Sequence, residues 1–597
     1  VGIDYYDLEL ASSVSNSIAS TTMAIGNNLI VESTTTMATS TTLNIVNDVL
    51  GTGAFTATGF VNLGGDWLHT GTFTPGTGTI HYNGTDQLVK SLSYYKLSMT
   101  GGTKSLEGNT TATHLVSINT ATILNLNAFT LDLQGPTVNA LLNSGTLSGN
   151  GKVRYSAAGA QTVNSSTFYD LEFTGGDKTI ASGNSIEVTN DWTVSANTLM
   201  TSAQNATVGR DLIHNTGALI DQGSGTIRIG RNWTANGGTF DRGTGSVIYE
   251  GANQTIAPFT YATLTCSGTG TKTITGDVDI SGVLTINSGV TFDRSTYTVT
   301  LSFTGTPLVI DGTLTGNGKF IYSGTGTQNI AATSYYDLEF SGSTKNLPAD
   351  TSIEILNDWV VGATTVFGNN AIVNLSGNIS GAGTFTMNNG VLNIGGVWVK
   401  TGTFTPGTGS IHYNGSTQTI AALPYYNLEI SNSGEKTLAA ATTVSNILTV
   451  NDPATLGLAS FTLNLPSSGT PFVNTGILEP GTSTVNYTGT GETNIAPGNY
   501  YNLNGTGGNR VLPDGEEVGI AGAFVPGGGT YIIVGSLVNF NGSDTQTIPA
   551  FTFNNVILSG SGVKEILGAT EVTVNTIEIQ DGPSLDILDD AQLNITN

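Results

Sequence analysis

The sequence has 597 residues, of which 10% are charged, against about 25% in an average protein. Acidic residues outnumber basic residues by 43 to 18, and the formal charge of −25 argues against binding to nucleic acid or to an anionic membrane surface. Hydrophobic residues make up 38% of the chain, which excludes a disordered composition, and no apolar run is long enough to span a membrane as a helix.

A short motif recurs along the whole chain. In six copies it consists of two aromatic residues, a polar residue and an anchor leucine, and divergent copies end at Leu264 and Val556. In chain order the anchors are Leu8, Leu97, Leu171, Leu264, Leu338, Leu428, Leu503 and Val556. They lie 89, 74, 93, 74, 90, 75 and 53 residues apart, so long and short units alternate and form a super-repeat of about 165 residues.

Other features follow the same period. Residues 70–84 and 401–415 lie two super-repeats apart and differ at one position in fifteen. All five tryptophans occupy repeat positions: Trp67, Trp192, Trp233, Trp359 and Trp398. Growth of the chain by duplication is the simplest explanation.

Within one unit the hydrophobic pattern has a period of two residues. Tyr169, Leu171 and Phe173 fall on one face of an extended strand, and Asp170 and Glu172 fall on the other. Short strands of this kind alternate with turns rich in Gly, Asn and Ser, and no run has helical periodicity. The chain is therefore predicted to be all-β.

Two all-β architectures fit this pattern, a parallel β-helix and a string of β-sandwiches. Sandwiches should be separated by linkers about every 100 residues, and the sequence has no break in composition. We therefore predict an elongated parallel β-helix, a β-solenoid that runs as one continuous domain over residues 1–597 with no separate catalytic domain. The crossover rule favours right-handed coiling, and coils of about 20 residues would give about 30 coils. The anchors and the tryptophans should point inward.

An aromatic residue precedes every anchor by three positions. The column comprises Tyr5, Tyr94, Phe168, Tyr261, Tyr335, Tyr425, Tyr500 and Phe553. Exposed aromatic rings could stack on sugars, whereas buried rings would pack the solenoid wall. The packing interpretation is favoured because the position is always aromatic.

A basic residue follows seven of the eight anchors by seven or eight positions. The column comprises Lys104, Lys178, Lys272, Lys345, Lys436, Arg510 and Lys564. One interpretation is the binding of an acidic polysaccharide. The favoured interpretation is a row of lysines at exposed turn edges near acidic strand residues, where ion pairs stabilise a protein by about 0–1 kcal/mol.

No constellation of catalytic or metal-binding residues stands out. A glycosidase needs two carboxylates at one irregular place, but the acids mostly follow the repeat. His81 and His412 are equivalent repeat positions rather than a ligand pair, and Cys266 replaces a buried hydrophobic residue of other copies. We predict no enzyme activity and no catalytic, cofactor-binding or metal-binding residues. The Thr-x-Thr strings lack the strict one-coil spacing expected of an ice-binding face.

Residues 409–438 (GSIHYNGSTQTIAALPYYNLEISNSGEKTL) resemble a repeat of secreted bacterial and archaeal surface proteins, the adhesin-like β-solenoids. Some version of this unit covers nearly the whole chain. The resemblance implies export to the cell surface, an elongated shape, and self-assembly or attachment. It supplies no catalytic residues.

Three functions follow from these features. The preferred one is an extracellular structural protein that assembles head to tail into a surface filament, sheath or fibre. The alternatives are the shaft of a cell-surface adhesin that contacts carbohydrate or another surface, and a β-helix polysaccharide lyase or glycosidase.

The two ends of the chain suggest how copies could assemble. The sequence enters the repeat at Val1 and leaves it in a strand, without an evident cap at either end, as a fragment of a longer array would also do. For head-to-tail assembly we expect the strand around Leu593 and Ile595 to add to the coil that contains Leu8 and Leu10 of a neighbour.

Overall fold

A computed structural model describes residues 3–19, 21–136 and 139–597 of the chain, the side chain of Ile3 excepted. Val1, at which the predicted solenoid begins, lies outside these residues. The described residues form 82 strands and no helix. The strands pair in parallel ladders and make a β-solenoid of about 29 turns, which confirms the predicted fold.

The chain divides into two compact units. Unit 1 comprises Val1–Val299 and Val309–Thr315, and unit 2 comprises Thr300–Leu308 and Gly316–Asn597. Both units are built in the same way, from coils in which successive strands turn through separate sheets. The single continuous domain over residues 1–597 stays a prediction.

In unit 1 the longest path of parallel strands takes one strand from each coil. It crosses from one wall to another within two long strands, because Thr79–Tyr82 pairs with the second half of Ser93–Met99 whereas Thr130–Leu133 pairs with the first part of Thr110–Ile118. In order the strands of this path are Ile3–Tyr5, Thr22–Ile25, Thr42–Ile45, Phe60–Leu63, Thr79–Tyr82, Ser93–Met99, Thr110–Ile118, Thr130–Leu133, Lys152–Tyr155, Asp170–Phe173, Trp192–Val194, Leu212–Asn215 and Trp233–Asn236. Four of the anchor motifs of the chain lie in this unit, and two of them, at Leu97 and Leu171, have their anchor in strands of this path.

In unit 2 the corresponding path of strands crosses between walls in the same way, within Pro424–Ile430 and Thr442–Val450. Its strands are Ser334–Tyr335, Ser352–Ile355, Ile372–Leu375, Val391–Ile394, Ser410–Tyr413, Pro424–Ile430, Thr442–Val450, Thr462–Leu465, Thr484–Tyr487, Asn502–Asn504 and Phe524–Val525. The nine-residue strands Thr110–Ile118 of unit 1 and Thr442–Val450 of unit 2 each pair with two successive shorter strands. The duplication seen in the sequence is thus repeated in the strand pairing.

Register places the same side of each strand against the interior in coil after coil. Val153, Leu171 and Trp192 are registered neighbours on three successive coils, and all three are buried. Because side chains alternate across a strand, the residues on either side of Leu171 face outward. The core is therefore a stack of apolar side chains inside the coils.

Inward orientation is confirmed for seven of the eight anchors and for all five tryptophans, which are buried. Leu8, in the first coil, is only partly buried. Its registered neighbour on the next coil, Leu29, is fully buried. The difference arises because one side of the first coil has no described coil against it.

A left-handed turn follows the anchor strand at a fixed position. The fourth residue after each of seven anchors has a positive φ: Gly101, Gly175, Gly268, Gly342, Asn432, Gly507 and Gly560. Glycine adopts this conformation without steric cost, and asparagine tolerates it better than most residues. A Cβ atom at Gly175 would also lie 2.3 Å from the carbonyl oxygen of Ala157 on the preceding coil. The turn therefore explains part of the high glycine content.

Truncating a buried anchor should destabilise the solenoid. We expect Leu171→Ala to lower the free energy of unfolding by about 2–5 kcal/mol, because it leaves a cavity between packed coils. The control Leu142→Ala truncates a side chain that is 43% exposed and should change stability by less than about 0.5 kcal/mol. Urea unfolding followed by circular dichroism measures both, and equal losses would contradict the inward assignment.

Candidate functional site

The repeated basic column is inside the solenoid, so the exposed placement predicted from the sequence is wrong. All seven side chains have 0% relative exposure. None of the seven takes part in an ion pair with a carboxylate in the part of the chain that the structure describes. Their positions also argue against capture of an acidic polysaccharide, because a ligand outside cannot reach them.

Backbone carbonyls surround each buried ammonium group. Lys272 Nζ donates to the carbonyl oxygens of Gly251 at 2.6 Å, Ala252 at 2.6 Å and Thr269 at 2.9 Å. Two of these acceptors belong to the preceding coil and one to the turn that follows the anchor Leu264. An ammonium group has three donors and no acceptor, so it matches a corner where carbonyls converge without strand partners.

A column of buried glutamines lies in register with the basic column, one coil earlier. Its members are Gln87, Gln161, Gln254, Gln328, Gln418 and Gln546. The sequence analysis missed them, although each stands 17 or 18 residues before its basic partner.

The glutamine and the lysine together satisfy one corner of the coil. Gln254 Nε2 donates to the carbonyls of Ile229 at 2.8 Å and Arg231 at 2.6 Å. Its Oε1 accepts the N–H of Gly251 at 2.8 Å, and the carbonyl of Gly251 accepts Lys272 at 2.6 Å. Both backbone groups of this glycine are thus paired by side chains of two successive coils, which links the coils at the corner.

The one arginine in the basic column is accompanied by a second exchange. Thr493 replaces glutamine where Arg510 replaces lysine, and the two residues are in register. Arg510 Nη1 donates to Gly489 at 3.1 Å, and Nη2 donates to Tyr487 at 2.6 Å. A shorter neutral side chain is therefore matched by a longer cation that reaches more carbonyls. The pattern is that of a packing unit rather than of a ligand site.

Burial lowers the pKa of the lysine column. Desolvation brings the pKa of Lys178 to about 8, with a smaller opposing effect from Asp177, and it brings the pKa of Lys345 to about 8. The charged form is disfavoured because protein dipoles replace bulk water around it. Because these buried cations have no counter-ion, their charge lowers the free energy of unfolding at neutral pH, whereas their hydrogen bonds satisfy the backbone carbonyls.

Stability should therefore respond to pH in the alkaline range. Between pH 8 and about 10.4 the folded state has released the proton of Lys178 whereas the unfolded state keeps it, so the unfolding free energy rises with pH. Relative to Lys178→Met, the wild-type chain should gain stability as the pH rises from 7 to 10. Lys152→Met is the control, since the Lys152 side chain is 38% exposed. Chemical denaturation at each pH gives the free energy of unfolding. If this free energy changes equally with pH in the wild type and in Lys178→Met, burial of the cation is contradicted.

The aromatic residue three positions before the anchor packs the interior, as favoured from the sequence. Every member of that column is buried except Tyr5, in the first coil. The structure adds a second tyrosine that meets the first across the core. The pairs are Tyr82–Tyr94, Tyr249–Tyr261, Tyr322–Tyr335, Tyr413–Tyr425 and Tyr487–Tyr500.

Each tyrosine pair closes a hydrogen-bonded ring with one backbone residue. The N–H of Ala421 donates to Tyr413 Oη at 3.1 Å, the two hydroxyl oxygens are 3.0 Å apart, and Tyr425 Oη donates to the carbonyl of Ala421 at 2.6 Å. Burial holds the pKa of Tyr413 above its ordinary value and that of Tyr425 well above it. In the last copy the pair is replaced by two phenylalanines, Phe540 and Phe553, so both partners change together.

Breaking the ring from one side should leave unpaired buried groups. We expect Tyr425→Phe to destabilise the protein by about 1–3 kcal/mol, because the Ala421 carbonyl loses its donor and the Tyr413 hydroxyl loses its acceptor. The double variant Tyr413→Phe/Tyr425→Phe should cost less than the sum of the single variants, as expected for coupled neighbours. Thermal unfolding measures the stability of the single and double variants, and Tyr426→Phe is the surface control. If the loss of stability in the double variant equals the sum of the two single losses, the ring is excluded.

The tyrosine that directly follows the buried aromatic lies at the surface. Tyr6 is 75% exposed, and the side chains of Tyr95, Tyr169, Tyr336, Tyr426 and Tyr501 are partly exposed. Tyr95 and Tyr426 stand at register shifts in their strand pairs, which let two consecutive residues face outward. This outer column escaped the sequence analysis, which considered only the first aromatic of each motif.

The remaining candidates are isolated. Cys266 is fully buried, and desolvation raises the pKa of its thiol to about 12, so it is inert. His81 Nε2 lies 2.8 Å from Thr100 Oγ1, whereas the equivalent His412 Nε2 lies 3.2 Å from Glu429 Oε2. These histidines contact outward-facing neighbours of the sheet and do not converge.

One apolar groove lies in unit 2, with a volume of about 470 Å³. Its wall includes the exposed side chains of Val473, Ile532 and Val534, and Asp514 and Glu516 also line it. Within the described ranges, no group of three or more His, Cys, Asp and Glu side chains is placed to hold a metal ion. In the same ranges no helix is long and apolar enough to cross a membrane.

Comparison with known proteins finds no matching family model, no matching curated protein and no matching solved structure.

Proposed function

We propose that the chain is an extracellular structural protein that assembles head to tail into a surface filament, sheath or fibre. The observation that carries the proposal is that the last coil exposes positions that are interior elsewhere. Ile587 is 48% exposed, whereas its registered neighbour Ile566 is 0% exposed. Ile595 is 56% exposed, whereas its registered neighbour Val574 is 1% exposed.

The first coil offers the complementary face. Tyr5 is 39% exposed, whereas its registered neighbour Ile25 is fully buried. A further coil stacked on either face would cover these side chains, and burying one large apolar side chain contributes about 1.5–3 kcal/mol. Contact between unlike ends of identical chains does not close, so it produces a fibre.

The pattern of backbone donors identifies the edge that would pair. The N–H groups of Gln592 and Thr596 donate back to Thr570 and Val574 of the preceding coil. Because donors alternate along a parallel strand, the N–H groups of Leu593 and Ile595 point to the open side. In the first coil Leu8 donates to Asn28 and Leu10 accepts from Glu32, so the open edge there is at Glu9 rather than at Leu10.

Charge favours association at high ionic strength. The first 89 residues hold seven acidic residues and no lysine or arginine, and residues 565–597 likewise hold seven acidic residues and no lysine or arginine. The two faces therefore repel each other at low salt. Raising the salt from about 0.1 M to about 1 M shortens the Debye length from about 10 Å to about 3 Å and should strengthen the contact.

Proline at the open edge tests the proposal. Ile595→Pro removes a donor that the chain itself does not use, so the fold should survive while end-to-end pairing is lost. We expect filaments of the wild-type chain at high salt in negative-stain electron microscopy, and single particles of Ile595→Pro under the same conditions. Sedimentation velocity gives the size distribution of each.

The matched control is Ile595→Val, which keeps both the N–H and an apolar side chain and should still assemble. Glu9→Pro should block assembly from the opposite end. A wild-type chain that stays monomeric at high concentration and high salt would overturn the proposal, as would filaments that persist with Ile595→Pro.

Export and a structural role rest on separate support. The low content of charged residues and the resemblance of residues 409–438 to secreted surface repeats favour an extracellular location. The repeated columns support a structural role, because their glutamine, lysine and tyrosine side chains satisfy backbone groups of the interior.

A further inference from the structure

The apolar groove of unit 2 extends over four successive coils. The registered pairs that link these coils are Gly469 with Thr493, Asn494 with Val511, and Val511 with Ile532. Three steps of about 4.8 Å give the groove a length of about 14 Å along the solenoid. Its volume of about 470 Å³ falls within the range of about 300–1,000 Å³ that is usual for small-molecule sites.

Most side chains that line the groove are apolar. Val473, Ile532 and Val534 are 38%, 46% and 75% exposed, so they offer apolar surface to a ligand. Pro497 and Pro513 also line the groove, and proline has no backbone N–H that would need a partner there. A ligand with an apolar body is favoured, because covering this surface removes apolar area from water.

Two carboxylates lie beside the apolar surface. The side chains of Asp514 and Glu516 are exposed, and neither is in an ion pair within the part of the chain that the structure describes. Asp514 lies against the backbone of Gly535, since a Cβ atom built on that glycine would overlap Asp514 Oδ1. Gly535 directly follows Val534, so a negative charge is held within one residue of the most exposed apolar side chain of the groove.

The coils around the groove present no positive charge at the surface. Residues 437–563 contain seven acidic residues and no histidine. Their one basic residue is Arg510, whose side chain has 0% relative exposure. The electrostatic potential at the groove is therefore negative, which attracts organic cations and repels anions.

Three residues of the groove break the repeat. The anchors Leu171, Leu338 and Leu503 lie one super-repeat apart, and the twelfth residue after each has a positive φ. The eighth, eleventh and thirteenth residues after the anchor are Thr179, Ser182 and Asn184 in the first copy, Asn346, Ala349 and Thr351 in the second, and Val511, Asp514 and Glu516 in the third. The turn is thus the same in all three copies, whereas apolar and acidic residues hold these positions only in the third. Departures from the repeat that meet in one groove favour a role for that groove.

We propose that the groove binds a small organic cation with an apolar body, of the alkylammonium class. The apolar chain lies over Val473 and Ile532, and the ammonium group donates hydrogen bonds to Asp514 and Glu516. This binding does not depend on head-to-tail assembly of the chain.

The extent of the apolar surface favours a small molecule over a partner polypeptide. A stable protein interface buries about 800 Å² on each partner. Here the exposed apolar surface is confined to three side chains, and Thr470 and Asn494, which also line the groove, are exposed and polar. A ligand that fits within the groove covers this surface without a wider contact.

The test is isothermal titration calorimetry on the full-length chain at low salt, with octylammonium chloride as the probe. The ligands 1-octanol and octanoate have the same chain with a neutral and a negative head group. We expect octylammonium to bind most tightly and octanoate not to bind. The variant Asp514→Asn/Glu516→Gln should weaken binding of octylammonium about fivefold and leave 1-octanol unchanged, since two exposed ion pairs are lost. Raising the salt to about 1 M should likewise weaken octylammonium alone.

Val534→Ser should weaken binding of both octylammonium and 1-octanol, because it removes apolar surface that both ligands cover. The matched controls lie outside the groove: Glu479→Gln/Asp544→Asn removes two charges, and Val525→Ser changes a valine that is 47% exposed. Circular dichroism checks that every variant is folded.

Three results would overturn the proposal. The first is absence of octylammonium binding, or binding of octanoate with equal affinity. The second is an equal loss of octylammonium affinity in the groove variant and in the matched charge control. The third is tighter binding of a short lysine-containing peptide than of octylammonium, which would assign the groove to a partner polypeptide.

Discussion

The corner of the coil is the constraint on which the structure depends. Strand ladders satisfy the backbone along the walls, but where the chain turns from one wall to the next some carbonyls point inward without a strand partner. Lys272 and Gln254 pair these groups from two successive coils, and the cost is a cation without a counter-ion inside the protein. The fold accepts that cost because several unpaired buried carbonyls would each cost about 1–3 kcal/mol.

The tyrosine rings are a second solution to the same difficulty. In the ring formed by Tyr413, Tyr425 and Ala421, two hydroxyl groups satisfy the donor and the acceptor of one buried backbone residue. Where the last copy has Phe540 and Phe553, the residue in the place of Ala421 is Pro549, which has no backbone N–H to be satisfied. In this copy the two hydroxyl groups and the backbone donor that one of them would accept are therefore lost together.

Periodicity made the architecture predictable, because a parallel solenoid repeats the same inward position in every coil. Leu171 and Trp192 could be placed inside from spacing alone. The location of Lys178 could not, since charge is normally a reliable sign of exposure and the converging carbonyls belong to the backbone, which leaves no trace in residue type. The partner of Lys178 could nevertheless have been predicted. Gln161 precedes Lys178 by the length of one coil, and a search for residues that recur one coil apart would have found it. The outer tyrosine was missed because alternation predicts only one outward residue after Phe168, whereas the corner provides two.

The buried basic column changes what the surface offers to proteases and to amine-reactive chemistry. Lysine occurs eleven times, and six of these residues lie in the column while Lys400 is also buried. Four lysines reach solvent at least in part: Lys90, Lys96, Lys152 and Lys319. A protease that cuts only after lysine therefore finds few accessible sites until coils open. The arrangement that satisfies the corners thus also removes most of the places at which a lysine-specific protease can begin.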